Sequence, residues 1–283
     1  MGRRMAEQMA PDVWWLHGSR GSNVFAIEGE AGLVLIDTGF ASSLRGIVED
    51  IDLLRRGGRV SHVLLTHAHV DHAGAAAAIR ARYGAVIAAG AGDCALNTAD
   101  EAVLREPIGR SHRRRRFVRW LLGRSSAVPV EVRIDEILVG ERMIAGLLAI
   151  PVPGHTPGSY CYVLEDRGVA FVGDLVISHD HGLSRPMMMA NADDRLYLDS
   201  LRAFASRAPD IGCPGHGRPI DSDFRNQLSR LSALSRRSFW SPRGAIERAR
   251  RMRDFGRGIT RVRRAPPSRD DGPVGHHDEA AGG

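Results

Sequence analysis

Apolar and polar residues follow one another in a way that predicts strands and helices in turn over the first third of the chain. Short apolar runs rich in β-branched residues predict strands, and three of them, spaced as an antiparallel meander, cover 13–16, 23–28 and 32–36. Apolar residues at helical spacing predict a helix over 42–55. An alanine-rich run predicts another over 73–83 that ends at Gly84. On either side of it, buried strands are predicted at 60–65 and 85–89.

The rest of the chain returns to this pattern after a polar interruption. Residues 93–128 are rich in arginine and predict a helical insertion. Strands are then predicted at 130–138, 141–150, 159–164 and 168–172, the last two as a hairpin. Helices are predicted at 195–205, 221–236 and 242–253. We therefore expect one domain over 1–262, with the insertion at about 93–128 and C-terminal helices at about 221–253, and a disordered tail over 263–283.

One predicted strand-to-helix loop holds three histidines and one aspartate within six residues: His67, His69, Asp71 and His72. Such a loop can hold the first two on one side and turn the other two toward another point. Imidazole and carboxylate are ligand types that zinc, iron and manganese accept. The motif therefore predicts a site for two adjacent metal ions. Solvated loop histidines with Asp71 as a helix cap are the alternative, and four donors at this spacing argue against it.

Three more potential ligands stand in short loops after strand-like runs. His155 and His216 are each framed by glycine and proline, and rigid loops of this kind hold an imidazole in place before a metal arrives. Asp174 ends a very apolar run, where an unpaired carboxylate is costly to bury. A metal ion at this position would offset that cost.

The spacing His-x-His-x-Asp-His, together with the three distant residues, resembles the signature of the metallo-β-lactamase superfamily over about residues 14–217. The resemblance implies an α/β (α+β) fold, a four-layer αββα sandwich with two mixed sheets face to face. It implies a first metal ion on His67, His69 and His155, a second on Asp71, His72 and His216, and Asp174 as the bridge between them. Asp37, at the end of a strand, resembles an aspartate that supports the metal loops without being a ligand.

The chemistry expected of such a site follows from the ions. Two cations lower the pKa of a shared water, so a bridging hydroxide can attack near neutral pH, and no catalytic side chain beyond the metal ligands is assigned. We predict a hydrolase of an ester-like bond, a thioester or a lactone, with two divalent ions: zinc, or alternatively iron or manganese. An iron-dependent persulfide dioxygenase, a phosphodiesterase or nuclease, and a non-catalytic metal-binding protein remain as alternatives.

Three features narrow the choice within the superfamily. Asp174 stands where the best-known zinc β-lactamases have a cysteine, which argues against antibiotic hydrolysis. His69 stands where the oxygen-reducing diiron members carry an acid, which argues against that group as well. The 67 residues after His216 match the helical substrate domain of hydroxyacylglutathione hydrolase poorly. These comparisons leave the substrate open.

Charge and composition add an expectation about partners. All 39 basic residues are arginine, the formal net charge is +6, and arginines cluster at 110–119. A basic face attracts anions or nucleic acid, but this cluster lacks the interleaved aromatic residues that stack on bases. We expect a small-molecule substrate, biased toward anions, rather than nucleic acid. No apolar run approaches the roughly 20 residues of a membrane span, and no apolar leader follows Met1, so a cytoplasmic location is expected.

The three cysteines predict neither a disulfide framework nor a cysteine-based zinc site, because their number is odd and no CxxC pair occurs. Cys161 lies in an apolar run and is expected in the core. Cys213, three residues before His216, is expected to be an inert buried residue, with a thiol near the site as the alternative.

Overall fold

The computed structural model describes residues 6–55, 57–105, 131–180 and 182–235. The chain divides into a unit of residues 1–234 and a unit of residues 235–283, and every element below belongs to the first. The strands are β1 (Glu7–Ala10), β2 (Val13–Leu16), β3 (Val24–Gly29), β4 (Gly32–Ile36), β5 (Val60–Leu64), β6 (Val86–Gly90), β7 (Cys94–Leu96), β8 (Ala102–Leu104), β9 (Glu136–Leu138), β10 (Arg142–Ile144), β11 (Leu147–Pro151), β12 (Tyr160–Leu164), β13 (Val169–Gly173), β14 (Ile177–His179), β15 (Gly182–Ser184) and β16 (Ile211–Pro214). The α-helices are α1 (Leu44–Leu54), α2 (Val70–Ala73), α3 (Ala76–Tyr83), α4 (Asp194–Ala205) and α5 (Phe224–Ala233).

Two sheets form the body of this unit. The first has the order β1-β2-β3-β4-β5-β6-β9; it starts with the predicted antiparallel meander and continues with parallel strands from β4 onward. The second has the order β10-β11-β12-β13-β16 and is antiparallel as far as β13, which pairs in parallel with β16. The pairing of β12 with β13 is the predicted hairpin.

Three apolar layers hold the sheets and helices together. The inner face of α1 buries Ile47 and Ile51 against the first sheet, where α3 also packs. Between the two sheets, Phe25 and Phe171 pack with their ring centroids 5.3 Å apart. On the far side, α4 and α5 cover the second sheet through a third buried cluster. Each sheet thus buries both faces, and the order helix, sheet, sheet, helix confirms the predicted αββα sandwich.

The prediction of helix at the beginning of the insertion is wrong. Residues 94–104 form β7 and β8, which pair in an antiparallel manner. Asn97 explains the difference, because its Oδ1 accepts hydrogen bonds from the N–H groups of Ala99 and Glu101 and turns the chain back. Local bonds of this kind compete with a helix. The remainder of the insertion, the predicted helix at 242–253 and the tail at 263–283 lie outside the described residues.

Other predicted elements exist but have different bounds. The run 141–150 forms two strands, β10 and β11, because Ala145 and Gly146 both have positive φ and make a tight hairpin turn. The helix predicted at 73–83 is interrupted after α2, where Ala75 donates its N–H to the carbonyl of Gly39 in the loop after β4. Of 130–138, the last three residues form β9, and α5 is shorter than the predicted 221–236.

Strand direction explains where the predicted ligand loops lie. The parallel strands β4, β5 and β6 end at the same edge of the first sheet, and the histidine motif follows β5. In the second sheet β11, β13 and β16 share one direction, and His155, Asp174 and His216 follow their ends. Both sheets therefore bring potential ligands to one edge of the sandwich. Within the described ranges, no helix is long and apolar enough to cross a bilayer.

Candidate metal centre

The structure brings together all seven side chains that the sequence singles out. They form two groups, within each of which the donor atoms lie within 4.8 Å of one another. The first group is His67, His69, His155 and Asp174, and the second is Asp71, His72 and His216. Asp174 also contacts the second group, since its Oδ1 lies 3.3 Å from His72 Nε2 and 3.4 Å from His216 Nε2. Its Oδ2 lies 3.4 Å from His155 Nε2, so this carboxylate stands between the two groups.

Three imidazoles of the first group point at one another. His69 Nδ1 lies 2.9 Å from His67 Nε2 and 3.1 Å from His155 Nε2. Burial lowers the pKa of His67, and burial with the nearby His155 lowers the pKa of His69 to about 4. Near neutral pH these two rings are therefore uncharged. Three ring nitrogens that face one point, two of them on uncharged rings, suit a cation in their midst.

The second group has the opposite electrostatics. Asp71 Oδ2 lies 3.3 Å from His216 Nε2 and 3.9 Å from His72 Nε2. Burial alone would lower the pKa of His216, but Asp174 and Asp71 outweigh it and raise that pKa to about 10. Burial is likewise outweighed at His72, whose pKa Asp37, Asp174 and Asp71 raise. Two buried atoms, His72 Nε2 and Asp174 Oδ1, have no hydrogen-bond partner, which fits a shared cation.

A glycine lets the last ligand loop come close to the others. A Cβ on Gly215 would lie 2.6 Å from His72 Cε1 and 2.7 Å from Asp174 Oδ1, inside the group of ligands. The loop is also fastened from the first sheet, since Asn23 donates its Nδ2 protons to the carbonyls of Pro214 and Gly217. The approach of His216 thus depends on a residue without a side chain and on a half-buried asparagine.

Asp37 lies behind the second group, as the resemblance implies. It is almost fully buried, and its Oδ2 lies 2.7 Å from His72 Nδ1, the ring nitrogen that faces away from Asp71 and Asp174. Thr66 donates both its N–H and its hydroxyl to the same carboxylate. Asp37 therefore orients the ring of His72 and is itself outside the group of donor atoms.

Two supports of the first group are not predicted from the sequence. Asn191 Oδ1 lies 3.0 Å from His155 Nδ1, and the buried Asp93 accepts hydrogen bonds from the loops that carry His67 and His155. Asp93 had a signal that could have found it, because it follows β6 just as Asp37 follows β4. Asn191 had none, since it is separated from His155 by 36 positions and stands just ahead of a helix.

A family model described as the metallo-beta-lactamase superfamily matches residues 17–216, which include every donor of the two groups. The chain belongs to the metallo-β-lactamase superfamily. Members of this superfamily bind divalent metal ions, and the clustered histidines and aspartates could hold such ions here. Membership in the superfamily also points to hydrolase activity.

Similar proteins come from bacteria and fungi. The chain is 26% identical over 215 residues to uncharacterized protein YobT of Bacillus subtilis. This alignment covers 71% of this chain and 84% of that protein. It is 27% identical over 206 residues to thioesterase pkgB of Emericella nidulans, covering 71% of this chain and 47% of that protein. The chain thus spans about half the length of that relative. Two further fungal relatives bear the name atrochrysone carboxyl ACP thioesterase.

A solved structure shares the metallo-β-lactamase fold. The metallo-beta-lactamase family protein from Thermus thermophilus is 22% identical and covers 80% of this chain and 80% of its own, with a TM-score of 0.54. At this identity the likeness shows the fold alone.

Proposed function

We propose that this protein is a hydrolase that holds two divalent metal ions on its seven clustered side chains and cleaves a thioester in a small substrate. The observation that carries the proposal is the position of Asp174, whose two oxygens face different groups. Each group then has at least three donors and one carboxylate in common with the other, which suits a pair of neighbouring ions. We expect zinc, with iron or manganese as alternatives.

The residues present divide the work between binding and orientation. Bound divalent ions would lower the pKa of a water and polarise a carbonyl oxygen, and so supply a nucleophile that no serine or cysteine in the cluster supplies. The side chains of the two groups would hold these ions, while Asp37 and Asn191 fix which ring nitrogens of His72 and His155 face them. Asp174 keeps the groups at a fixed separation.

Two observations favour a thioester over other ester-like bonds. The first is the names of the relatives pkgB and the atrochrysone carboxyl ACP thioesterases. The second is a pair of exposed apolar residues, Met187 and Met188, with 45% and 51% of their surface accessible. They stand four and three residues before Asn191, which bonds to His155, and we infer from this that they line the approach to the first group. A rim of flexible methionines suits an apolar acyl chain.

A substrate panel on protein of measured metal content tests the proposal. We expect close to two ions per chain and turnover of acyl thioesters that exceeds turnover of lactones and phosphodiesters. Met188→Glu should raise KM for long acyl chains more than for acetyl, because it places a charge beside the apolar chain. Matched controls are Met143→Glu, an equally exposed methionine on β10, and Asp174→Asn as the inactive form.

The same panel separates the alternatives. Oxygen uptake with glutathione persulfide and a single bound iron would replace the proposal with a dioxygenase. Metal-dependent cleavage of RNA would replace it with a nuclease, and no turnover by fully loaded protein would leave a metal-binding protein. The predicted bias toward anions depends on the arginine cluster within residues 110–119, which lies outside the described residues.

A further inference from the structure

We propose that Asp93 is a positioning residue for the first metal position: its carboxylate ties the loop carrying His67 and His69 to the loop carrying His155 and so sets the spacing of their ring nitrogens. This inference rests on the proposed metal centre and adds a residue that is outside its set of donors. It predicts that loss of the Asp93 carboxylate weakens metal binding in the first group and spares the second.

The hydrogen bonds of Asp93 reach both loops. Its Oδ2 accepts from the N–H of Ala68, between the two histidines of the motif, at 2.9 Å. The same oxygen accepts from the hydroxyl of Thr156 at 2.6 Å, and Oδ1 accepts from the N–H of Gly158 at 2.8 Å. Asp93 is 2% exposed, so these three donors replace the water that would otherwise solvate the carboxylate.

The segment around Asp93 also presses directly on the His155 loop. A Cβ on Gly92 would lie 2.4 Å from the carbonyl of Pro157, and a Cβ on Gly158 would lie 2.7 Å from Asp93 Cβ. Neither position has room for a side chain. The contact between the 90–93 turn and the 155–158 loop is therefore backbone against backbone, and the carboxylate closes it from the side.

The bonds of Asp93 do not extend to the second group. Asp71 and His72 lie farther along the motif, where His72 is held by Asp37, and His216 is held by the carbonyl of Gly21 at 3.1 Å. Asp37 directly follows β4, and Asp93 follows β6 after one 3₁₀ turn, so the two buried aspartates come after the strands on either side of β5, which leads into the motif. Asp93 therefore bonds to the backbone at Ala68 and to the His155 loop, whereas Asp37 bonds directly to His72 and reaches His67 only through Thr66.

The test is zinc affinity, measured by chelator competition on the full chain in two backgrounds. Asp71→Ala removes one donor from the second group alone, and His69→Ala removes one donor from the first alone, so each background weakens one group. In the Asp71→Ala background, Asp93→Asn should weaken zinc binding about 10- to 100-fold, the usual effect of removing a support behind a ligand. In the His69→Ala background it should change affinity less than about twofold. Asparagine keeps one acceptor but turns an N–H toward a donor.

Two further variants keep this test decisive. Asp135→Asn is the matched control. Asp135 also accepts a backbone N–H from β6, that of Ile87 at 3.0 Å, but its other oxygen pairs with Arg80 on α3 and not with a ligand loop. It should leave both affinities unchanged. Gly92→Ala retains the carboxylate but forces the His155 loop away, so it should reproduce the selective loss in the first group.

The outcomes are distinguishable. Equal losses in both backgrounds, or the same loss in Asp135→Asn, would overturn the role of Asp93 and indicate general destabilisation; the melting temperature of metal-free protein would confirm that reading. Zinc binding unaffected by Asp93→Asn would overturn only the role of Asp93. No zinc binding by the unchanged protein would overturn the metal centre and this inference with it.

Discussion

The two halves of the metal centre differ in burial and in charge. His67 and His155 of the first group are 2% and 4% exposed, and the side chains of Asp71 and His216 of the second are 24% and 27% exposed, although His72 of the second group is fully buried. Burial lowers the pKa of His67 and His69, but the carboxylates around His72 and His216 raise theirs. Without metal, the rings of His67 and His69 are therefore neutral near pH 7, whereas those of His72 and His216 are protonated.

The same ligand types are thus prepared for a cation in two ways. The neutral rings of His67 and His69 offer their lone pairs without releasing a proton. The second group attracts positive charge more strongly, yet a metal ion there must first displace protons that occupy the ring nitrogens. Their supports follow the same division, since an uncharged amide, Asn191, faces His155 and a carboxylate, Asp37, faces His72.

Asp174→Asn should produce the largest effect, because this carboxylate is common to both halves. Its loss removes a charge from each group, and we expect turnover to fall about 10³-fold or more, which corresponds to several kcal/mol of lost transition-state stabilisation. Metal analysis and steady-state kinetics measure it. If Asp174→Asn lost ions from one group alone, the carboxylate would not be shared, and the two halves would be independent sites.

Replacing the residues that orient the ligand rings, Asp37 and Asn191, should weaken zinc binding in one group at a time, with an effect of intermediate size. Asp37→Asn should weaken zinc binding in the second group about 10- to 100-fold, and Asn191→Ala should weaken it in the first by a similar factor, because each fixes the orientation of one ligand ring. Zinc titrations in the Asp71→Ala and His69→Ala backgrounds resolve the two groups. Either substitution weakening both groups equally would show that the centre responds as one unit.

The sequence predicts the ligands better than their supports for a physical reason. His67, His69, Asp71 and His72 are close together in the chain, His155 and His216 sit in loops marked by glycine and proline, and Asp174 ends a very apolar run. Asp93 binds Thr156 and Gly158 across 63 and 65 positions, and such contacts exist only once the sheets are stacked. The four-layer order of the fold, likewise, came from the family resemblance rather than from the strand pattern.

Local chemistry also overrode some predicted elements. The arginine-rich character of the insertion favoured a helix, but the side chain of Asn97 turns residues 94–104 into a strand pair. Positive φ at Ala145 and Gly146 split one predicted strand into two. In both cases a single turn decided the structure, and apolar periodicity does not report on turns.

Lowering the pH should weaken metal binding in the second group more than in the first. The raised pKa of His216, about 10, means that its ring is protonated throughout the neutral range, and that the proton is lost as the pH rises toward that value. Each displaced proton makes affinity fall about tenfold per pH unit below the pKa. The pKa of His69, about 4, leaves no such proton to displace above about pH 5.

Zinc affinity between pH 6 and 8 in the two single-group backgrounds tests this. The His69→Ala protein should bind more tightly as the pH rises, with a slope of about one log unit or more per pH unit, and the Asp71→Ala protein should show a shallower slope. Equal slopes would show that the two groups do not differ in the protons that a metal ion must displace, and burial would then be the difference between them.

The smallest effect is expected from Cys213→Ala. This substitution tests whether zinc binding by the second group depends on the core packing of β16, the strand that precedes His216. Cys213 is 1% exposed on β16, in the apolar layer between the sheets, and burial raises the pKa of its thiol. Truncating it should lower the free energy of unfolding by about 1 kcal/mol and the melting temperature by roughly 2–4 °C, with zinc binding unchanged in both groups.

The matched control is Cys161→Ala, fully buried in the layer under α4 and α5. Both variants should lose similar stability, because each loses one buried sulfur. Selective loss of zinc from the second group in Cys213→Ala alone would show that the packing of β16 positions His216, and that this half depends on the core as much as on its carboxylates.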